Sequence, residues 1–172
     1  MNNKKAFTLV ELCVVIAIFG ILALIAAPNL VTGLPKYRIK RAARDITSKI
    51  RAARSEAIKT SDDVTIVFNL ENNRYSIDGT WYPDGDSDSN NVLSAHYGSG
   101  VSFGVGGSAT APDGECSFSD NCQVTFNSRG ILTDPEMDGE IHLTNIKDAA
   151  YKIEINAAGN ISLQQWIGSD WQ

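Results

Sequence analysis

The chain has 172 residues, 43% of them hydrophobic and 20% charged, and these values exclude wholesale disorder. A chain of this length forms one domain with its own core, together with a terminal appendage. The net charge of −5 hides two opposite parts: residues 36–59 carry nine Lys and Arg against two acids, and residues 60–172 carry four against seventeen. The sequence therefore predicts a basic N-terminal part and an acidic remainder.

An apolar run follows Lys4 and Lys5 and extends from Phe7 to Ala27. As a helix, a run of this length would measure about 30 Å, the thickness of a bilayer core. No small-residue cleavage site of the secretory type follows it, so we expect the run to be retained. The two lysines before it predict a cytoplasmic N-terminus and a single membrane pass.

A second helical pattern occupies residues 36–59. Its apolar side chains recur on one face at helical spacing, and most of its Lys and Arg lie off that face. The members of this predicted stripe are Ile39, Ala42, Ala43, Ile46, Ile50, Ala53 and Ala57. We therefore expect one long helix whose second half is amphipathic and lies on a sheet of the same chain.

Short runs rich in β-branched and aromatic residues follow the helical region, and most of them alternate between apolar and polar residues. They predict antiparallel strands with one buried face. The predicted strands are 64–69, 74–78, 92–97, 101–105, 123–127, 140–145, 150–156 and 160–166. Asn72-Asn73 and residues 158–160 are predicted hairpin turns. The expected fold class is α+β, a long N-terminal helix packed on antiparallel sheets.

Three cysteines occur in the chain. Cys116 and Cys122 enclose a short polar loop, and outside the cytoplasm we expect them to form a disulfide. Two free thiols in the loop are the alternative. Cys13 lies in the apolar run, where it would pack as a small hydrophobic residue.

An acidic loop carries oxygen-bearing side chains at alternate positions, namely Asp84, Asp86, Asp88 and Asn90. This spacing opens many calcium loops, and Asp78 could add a further oxygen ligand. The bidentate Glu and the turn Gly of an EF-hand are missing, because Ala95 and Ser89 occupy those positions. A calcium site and a solvated acidic turn therefore stand as alternatives.

Catalytic chemistry has little support in the sequence. The two histidines, His96 and His142, each lie in a predicted strand, and neither has a motif neighbour. We therefore expect no enzyme activity and no small-molecule substrate. Apart from the calcium alternative, we expect no cofactor.

The N-terminus, with AFTLVEL at the head of the apolar run, resembles that of type IV prepilins and type II secretion pseudopilins. RAARSEAIKTSDDVTIVF, FNSRG and NAAGNIS further along are similar to the GspH/FimT group of minor pilins and pseudopilins. The resemblance implies that a prepilin peptidase removes a leader of residues 1–6 and N-methylates the new N-terminus. The cut would lie between Ala6 and Phe7. The family almost always has Gly before the cut, so we expect Ala6 to slow processing.

Glu11 stands in the apolar run, where an unpaired carboxylate costs free energy. The resemblance implies that Glu11 pairs with the new α-amine of Phe7 inside a bundle of subunits. Such a pair is favourable in an apolar environment where either charge alone is not. The alternative is that the Glu11 side chain reaches the membrane surface near Lys5.

The resemblance also implies a division of the chain into three parts: the leader (1–6), a transmembrane and assembly half of the helix (7–34) and a periplasmic head (35–172). It implies storage in the inner membrane and then assembly with other pilins or pseudopilins into a type IV pilus or a type II secretion pseudopilus. Trp166 and Trp171 are candidates for weaker contacts of the head, or they are ordinary core or edge residues.

DNA uptake is the alternative function, since some members of the group serve it as minor pilins that bind DNA. DNA affinity depends on Lys and Arg that neutralise phosphates. The acidic charge of residues 60–172 argues against DNA as a partner.

Overall fold

The computed structural model describes residues 8–83, 93–98, 100–104, 116–118, 121–134, 136, 138–145, 147, 149–168 and 170–172, with only the backbone described for residues 25–32. The chain divides into two compact units, Met1–Leu34 and Pro35–Gln172. We call the first the N-terminal segment and the second the head. All buried hydrophobic side chains of the described residues lie in the head, between Ile39 and Ile155. The head therefore contains its own core.

The first helix, α1 (Leu9–Thr60), begins in the N-terminal segment and ends in the head. Its part in the head buries every member of the predicted stripe, of which the most exposed, Ala53, is only 4% exposed. Polar side chains beside the stripe contact other parts of the fold. The ammonium nitrogen of Lys49 lies 4.8 Å from the ring centroid of Tyr82, and Arg51 donates a hydrogen bond to the carbonyl of Ile161 at 3.2 Å. The predicted amphipathic helix is confirmed.

Short antiparallel strands and a one-turn helix follow α1. In chain order they are β1 (Val64–Asn69), β2 (Arg74–Ile77), β3 (Thr80–Tyr82), α2 (Leu93–Tyr97), β4 (Ser102–Phe103), β5 (Gln123–Phe126), β6 (Gly139–Thr144), β7 (Ala150–Ile155) and β8 (Ile161–Gln165). The first sheet has the order β3-β2-β1-β5, and the second has the order β4-β6-β7-β8. The α+β class predicted from the sequence is confirmed.

The first sheet reproduces the predicted strand alternation. Val64, Ile66 and Phe68 of β1 are buried, and the residues between them are half-buried. Ile66 pairs with Ile77 of β2 on one side and with Val124 of β5 on the other. The predicted turn between β1 and β2 is present, because the backbone N–H of Asn73 donates to the carbonyl of Leu70 at 3.3 Å.

The second sheet runs along the head part of α1. At one end, the side-chain amide of Asn145 donates to the carbonyl of Pro35 at 2.9 Å. At the other end, the bond from Arg51 to Ile161 joins α1 to the start of β8. The ends of β6 and β8 therefore lie near the start of the head, and the turn between β7 and β8 lies beside the later turns of α1.

The strand predicted at 92–97 is wrong, because Leu93–Tyr97 forms α2. Leu93 and Tyr97 are separated by four residues, so one helical turn buries both of them, while Ala95 and His96 stay exposed. The hydroxyl of Tyr97 donates to the carboxylate of Asp45 on α1. This contact between α2 and α1 stabilises a helix in a segment whose strand propensity is weak.

The three-residue strand β3 is absent from the predicted set. Asp78 and Gly79, with φ of 48° and 77°, form a two-residue turn that returns the chain onto β2. Asp-Gly is a strong signal for such a turn. The rings of Tyr75 and Tyr82 stack across the pair with centroids 5.3 Å apart. The predicted bounds of β1 agree with the structure, and those of β2 and of β5 to β8 differ by one residue at one end or at both ends. Of the described residues in the strand predicted at 101–105, Ser102 and Phe103 pair with β6.

Candidate functional site

The predicted processing residues, Ala6 and Phe7, lie outside the described residues. The first described residue is Thr8, whose hydroxyl accepts a hydrogen bond from the backbone N–H of Glu11 at 3.2 Å. Thr8 therefore caps α1, and Glu11 lies in its first turn, where the helix dipole favours negative charge. The Thr-x-x-Glu spacing of a capping box is the sequence signal for this arrangement. The pairing of Glu11 with the Phe7 amine stays a prediction.

Large apolar side chains are exposed along the N-terminal segment. Leu9 is 78% exposed, Leu24 is 77% exposed, and the large apolar side chains between them range from 39% to 70%. A contiguous apolar surface of this kind marks a site of interaction with protein or lipid. Among the side chains that the structure describes, none of the helices has the length and hydropathy of a membrane span. The predicted span from Phe7 to Ala27 extends beyond those side chains at both ends and stays a prediction.

Cys116 and Cys122 form a disulfide, with their Cα atoms 5.9 Å apart, and this prediction is confirmed. The loop that it closes contains Phe118, which is 5% exposed and stacks on Phe68 at a centroid distance of 6.1 Å. A Cβ added at Gly139 would lie 2.0 Å from the Phe118 ring, so the ring packs directly on the backbone of β6. The disulfide therefore holds an aromatic side chain in the core.

Replacing Cys116 and Cys122 by serine in the head is expected to lower the free energy of unfolding by about 2 kcal/mol, because a loop of this size restricts the unfolded chain by that amount. Urea unfolding measures the loss. The reduced parent head is expected to match the serine variant, and the variant itself is expected not to respond to reductant. Equal stability of oxidised and reduced parent would contradict this role of the bond.

The predicted calcium residues, Asp84, Asp86, Asp88 and Asn90, lie outside the described residues. Asp78, the possible additional ligand, is exposed in the turn between β2 and β3. In the part of the chain that the structure describes, no group of three His, Cys, Asp or Glu side chains could hold a metal ion. Calcium binding by the acidic loop stays a prediction.

His142 is nearly fully buried in the second sheet, at 1% exposure. Its Nε2 lies 3.1 Å from Oε1 of Glu140, and the other oxygen of Glu140 is 2.9 Å from the ammonium of Lys152. The ring of Trp171 covers the imidazole at a centroid distance of 5.3 Å and also lies 5.4 Å from the ring of Trp166. His142 is thus enclosed in a structural network rather than exposed to a substrate.

His142 is expected to make stability fall as the pH is lowered. Burial lowers the pKa of His142, against an opposing effect of Glu140, so the folded state resists a proton that the unfolded state accepts. Stability is therefore lost below the ordinary His pKa of about 6.5, by at most about 1.4 kcal/mol per pH unit.

Urea unfolding of the head at about pH 7.5 and about pH 5.5, on either side of the ordinary His pKa, measures this loss. His142→Gln is expected to reduce the difference between the two conditions, and the control His96→Gln, at an exposed position of α2, is expected to keep it. An unchanged difference in His142→Gln would assign the effect to other groups.

Three segments that carry the resemblance to the GspH/FimT group meet at one point of the head. The guanidinium Nε of Arg54, from RAARSEA, donates to the carbonyl of Gly130, from FNSRG, at 2.7 Å. Gly159, from NAAGN, has a φ of 76°, and a Cβ added to it would lie 2.1 Å from the same carbonyl oxygen. The two turns therefore meet backbone to backbone, and the Arg54 side chain joins them to α1. The positive φ at Gly130 and Gly159 and this close approach explain why Gly occupies both turns.

The exposed face of α1 in the head is basic. Tyr37, Lys40, Arg41 and Arg44 line a shallow depression together with Asp45 and Ser48. Asp45 is already engaged, because its carboxylate accepts the hydrogen bond from Tyr97. Burial and this hydrogen bond raise the pKa of Tyr97 above its usual range, so Tyr97 remains a donor. The depression therefore offers mainly cationic groups to a partner.

The pilin-like class of proteins is defined by two features of this structure. One is a capped N-terminal helix with exposed apolar side chains, and the other is a head in which the later turns of that helix pack on antiparallel sheets. A family model described as "Prokaryotic N-terminal methylation motif" matches residues 1–27, and one described as "Type II transport protein GspH" matches residues 42–159. The second match covers more than half of the chain. The chain belongs to the GspH family.

The chain is similar to a fimbrial protein in sequence and to a minor pilin in structure. A fimbrial protein of Moraxella nonliquefaciens is 37% identical over 98 residues, which are 57% of this chain and 53% of that protein, so the match spans about half of the relative's length. The type IV minor pilin FimU of Pseudomonas aeruginosa has a TM-score of 0.51 at 16% identity, covering 80% of this chain and 94% of FimU.

The minor pseudopilin EpsH of Vibrio cholerae has a TM-score of 0.47 at 15% identity, covering 73% of this chain and 95% of EpsH. The likeness to FimU shows a pilin-like fold. The two family models assign the chain to the pilin and pseudopilin family, whose members are structural subunits.

Proposed function

We propose that this chain is a minor pilin or pseudopilin that a prepilin peptidase processes between Ala6 and Phe7. The subunit waits in the inner membrane with its N-terminus in the cytoplasm and its head in the periplasm. It then enters a type IV pilus or a type II secretion pseudopilus through its N-terminal helix, in contact with other pilins or pseudopilins.

One observation carries this proposal. The head has its own core, whereas the large apolar side chains of residues 9–24 are exposed. Burial of such side chains contributes about 25 cal/mol per Å², so this surface favours lipid or similar helices as its surroundings. The match of residues 1–27 to the N-terminal methylation motif supports processing just before Phe7.

The test is the mass of the N-terminal peptide of the full chain, isolated from membranes and from sheared filaments of the producing cell. The expected peptide begins at Phe7 and carries one methyl group, and it is expected in both fractions. A peptide that begins at Met1 in the filament fraction, or absence of the chain from filaments that contain other pilins, would overturn the proposal.

Replacing Ala6 by Gly is expected to accelerate processing without changing the product, because Gly is the residue that the family prefers before the cut. Pulse-labelling of the full chain measures the half-time of conversion to the shorter form. The matched control is Ala6→Val, which enlarges the same side chain and is expected to slow conversion. Slower conversion of Ala6→Gly than of the parent would contradict the assigned cut.

Binding of DNA is the alternative function, and the basic depression of Lys40, Arg41 and Arg44 is the structural feature in its favour. Residues 35–172 nevertheless carry 13 Lys and Arg against 19 Asp and Glu, a net charge of −6. Since DNA affinity depends on the number of neutralised phosphates, most of the head would repel a duplex.

A further inference from the structure

Two segments that are distant in the sequence meet where α1 begins in the head. The bond from Asn145 to the carbonyl of Pro35 holds the end of β6 at the first residue of the head. Thr144 at that end of β6 pairs with Ala150, and the backbone N–H of Trp166 donates to the carbonyl of Ala150 at 3.0 Å. The end of β8 is thereby placed beside the start of the head helix.

An open cleft occupies this meeting point. Lys36, Lys147, Trp166 and Ile167 line it, together with the polar groups of Tyr151 and Gln165. Lys36 and Lys147 are exposed, and Ile167 is 52% exposed. The cleft therefore combines two cations with apolar and aromatic side chains from the other end of the head sequence.

The basic face of α1 continues from this cleft. Lys36, Lys40 and Arg44 follow one another at four-residue spacing, which places them on one side of the helix. Tyr37, beside them, is 67% exposed. We call the combined area the entry surface and define it by Lys36, Tyr37, Lys40, Arg44, Lys147 and Ile167.

The composition of the entry surface matches the chemistry of a lipid headgroup layer. Each Lys or Arg raises binding to anionic lipid roughly fivefold, and an exposed Tyr such as Tyr37 favours the membrane–water boundary. An exposed Ile gains by entering the acyl boundary, whereas a nucleic acid duplex offers no comparable apolar surface. A duplex would also extend past the entry surface onto the acidic remainder of the head.

We propose that the entry surface docks the head on anionic phospholipid headgroups. Membrane lipid is inferred as the partner on the basis of the proposed function, which places the N-terminal segment in the inner membrane. The entry surface follows that segment directly in the sequence. Among the described residues, the acids near the surface include Asp45, which is engaged by Tyr97, and Asp170, whose carbonyl accepts a hydrogen bond from the backbone N–H of Ile167. Asp148 adjoins Lys147 in the sequence and lies outside the described residues. The local charge therefore stays positive although the head as a whole is acidic.

Flotation of the head (35–172) with lipid vesicles tests this surface, since the head has its own core. The head is expected to float with vesicles of phosphatidylcholine and phosphatidylglycerol and to remain at the bottom of the gradient with phosphatidylcholine alone. The variant Lys40→Ala/Arg44→Ala is expected to lower the vesicle partition coefficient roughly twentyfold. Ile167→Ser is expected to lower it severalfold while retaining the charge.

The matched control is Lys59→Ala/Arg129→Ala, which removes the same charge from exposed positions near the other end of the head helix. Its partition coefficient is expected to stay within about twofold, because contacts beyond a Debye length are screened. The proposal would be overturned by any of three results: an equal loss of partition in the control, no flotation with vesicles that contain phosphatidylglycerol, or retention on duplex DNA without flotation. The proposed function is tested by the mass of the N-terminal peptide of the full chain, which does not depend on the entry surface. Failure of the flotation test would therefore leave the proposed function intact, and the reverse also holds.

Discussion

Replacing Glu11 by alanine is expected to remove the subunit from sheared filaments, at least about tenfold, while leaving its amount in the membrane fraction unchanged. Alanine improves the apolar character of the run, so membrane insertion is not impaired. In a filament, however, the Phe7 amine would lose its partner, and an unpaired charge in apolar surroundings costs about 3–5 kcal/mol. Immunoblots of both fractions measure the result.

Glu11→Gln separates charge pairing from helix capping. Glutamine preserves the Thr-x-x-Gln form of the capping box at the start of α1 but carries no charge. If pairing with the amine decides assembly, Glu11→Gln is expected to be as defective as Glu11→Ala. Recovery of Glu11→Gln at the parental level would contradict charge pairing and assign the role of Glu11 to the helix terminus.

Replacing Gly159 by alanine is expected to lower the free energy of unfolding of the head by about 2–5 kcal/mol. An alanine at a positive φ costs about 1–2 kcal/mol. The remainder arises because the added Cβ would lie 2.1 Å from the carbonyl oxygen of Gly130, which cannot yield as a flexible side chain would. The same displacement would disturb the bond that this oxygen accepts from Arg54.

Gly79→Ala is the matched control, because Gly79 has nearly the same φ of 77° but no heavy atom within 4 Å of an added Cβ. Its expected loss is only the backbone cost of about 1–2 kcal/mol. Urea unfolding of both variants gives the difference that belongs to the contact with Gly130. Equal losses in the two variants would show that the turn can shift without cost. If Gly159→Ala does not fold, Arg54→Ala tests the neighbouring hydrogen bond to the same Gly130 oxygen, with an expected loss of about 1.5–3 kcal/mol.

Local periodicity explains which elements could be predicted. The stripe from Ile39 to Ala57 repeats at helical spacing, and β1 alternates residue by residue, so neighbouring residues alone carry both signals. The turn at Asn72-Asn73 is likewise encoded by its own residues. The disulfide could be expected from the short separation of its cysteines, together with the prediction that the head lies outside the cytoplasm.

Contacts between distant residues explain what could not be predicted. Residues 93–97 become helical because Tyr97 reaches Asp45, which is 52 residues earlier. Arg54 and Gly130 are 76 residues apart, and their meeting with Gly159 depends on how two turns approach α1. The segments containing all three residues support the family resemblance, yet their shared location appears only in the fold. The entry surface likewise depends on the bond between Asn145 and Pro35.

If, as proposed, residues 35–172 cross the membrane behind an N-terminal helix whose start stays in the cytoplasm, the strand order also determines when the head can become stable. The helix stripe arrives early, but the first sheet needs β5 to pair with β1, and the second sheet needs β8 to pair with β7. Such long-range pairing is slow because loop closure precedes the gain from contacts. On the proposed route to the periplasm, the second sheet would lack its last strand until residues 161–165 have crossed, and until then the head would be a substrate for chaperones and proteases.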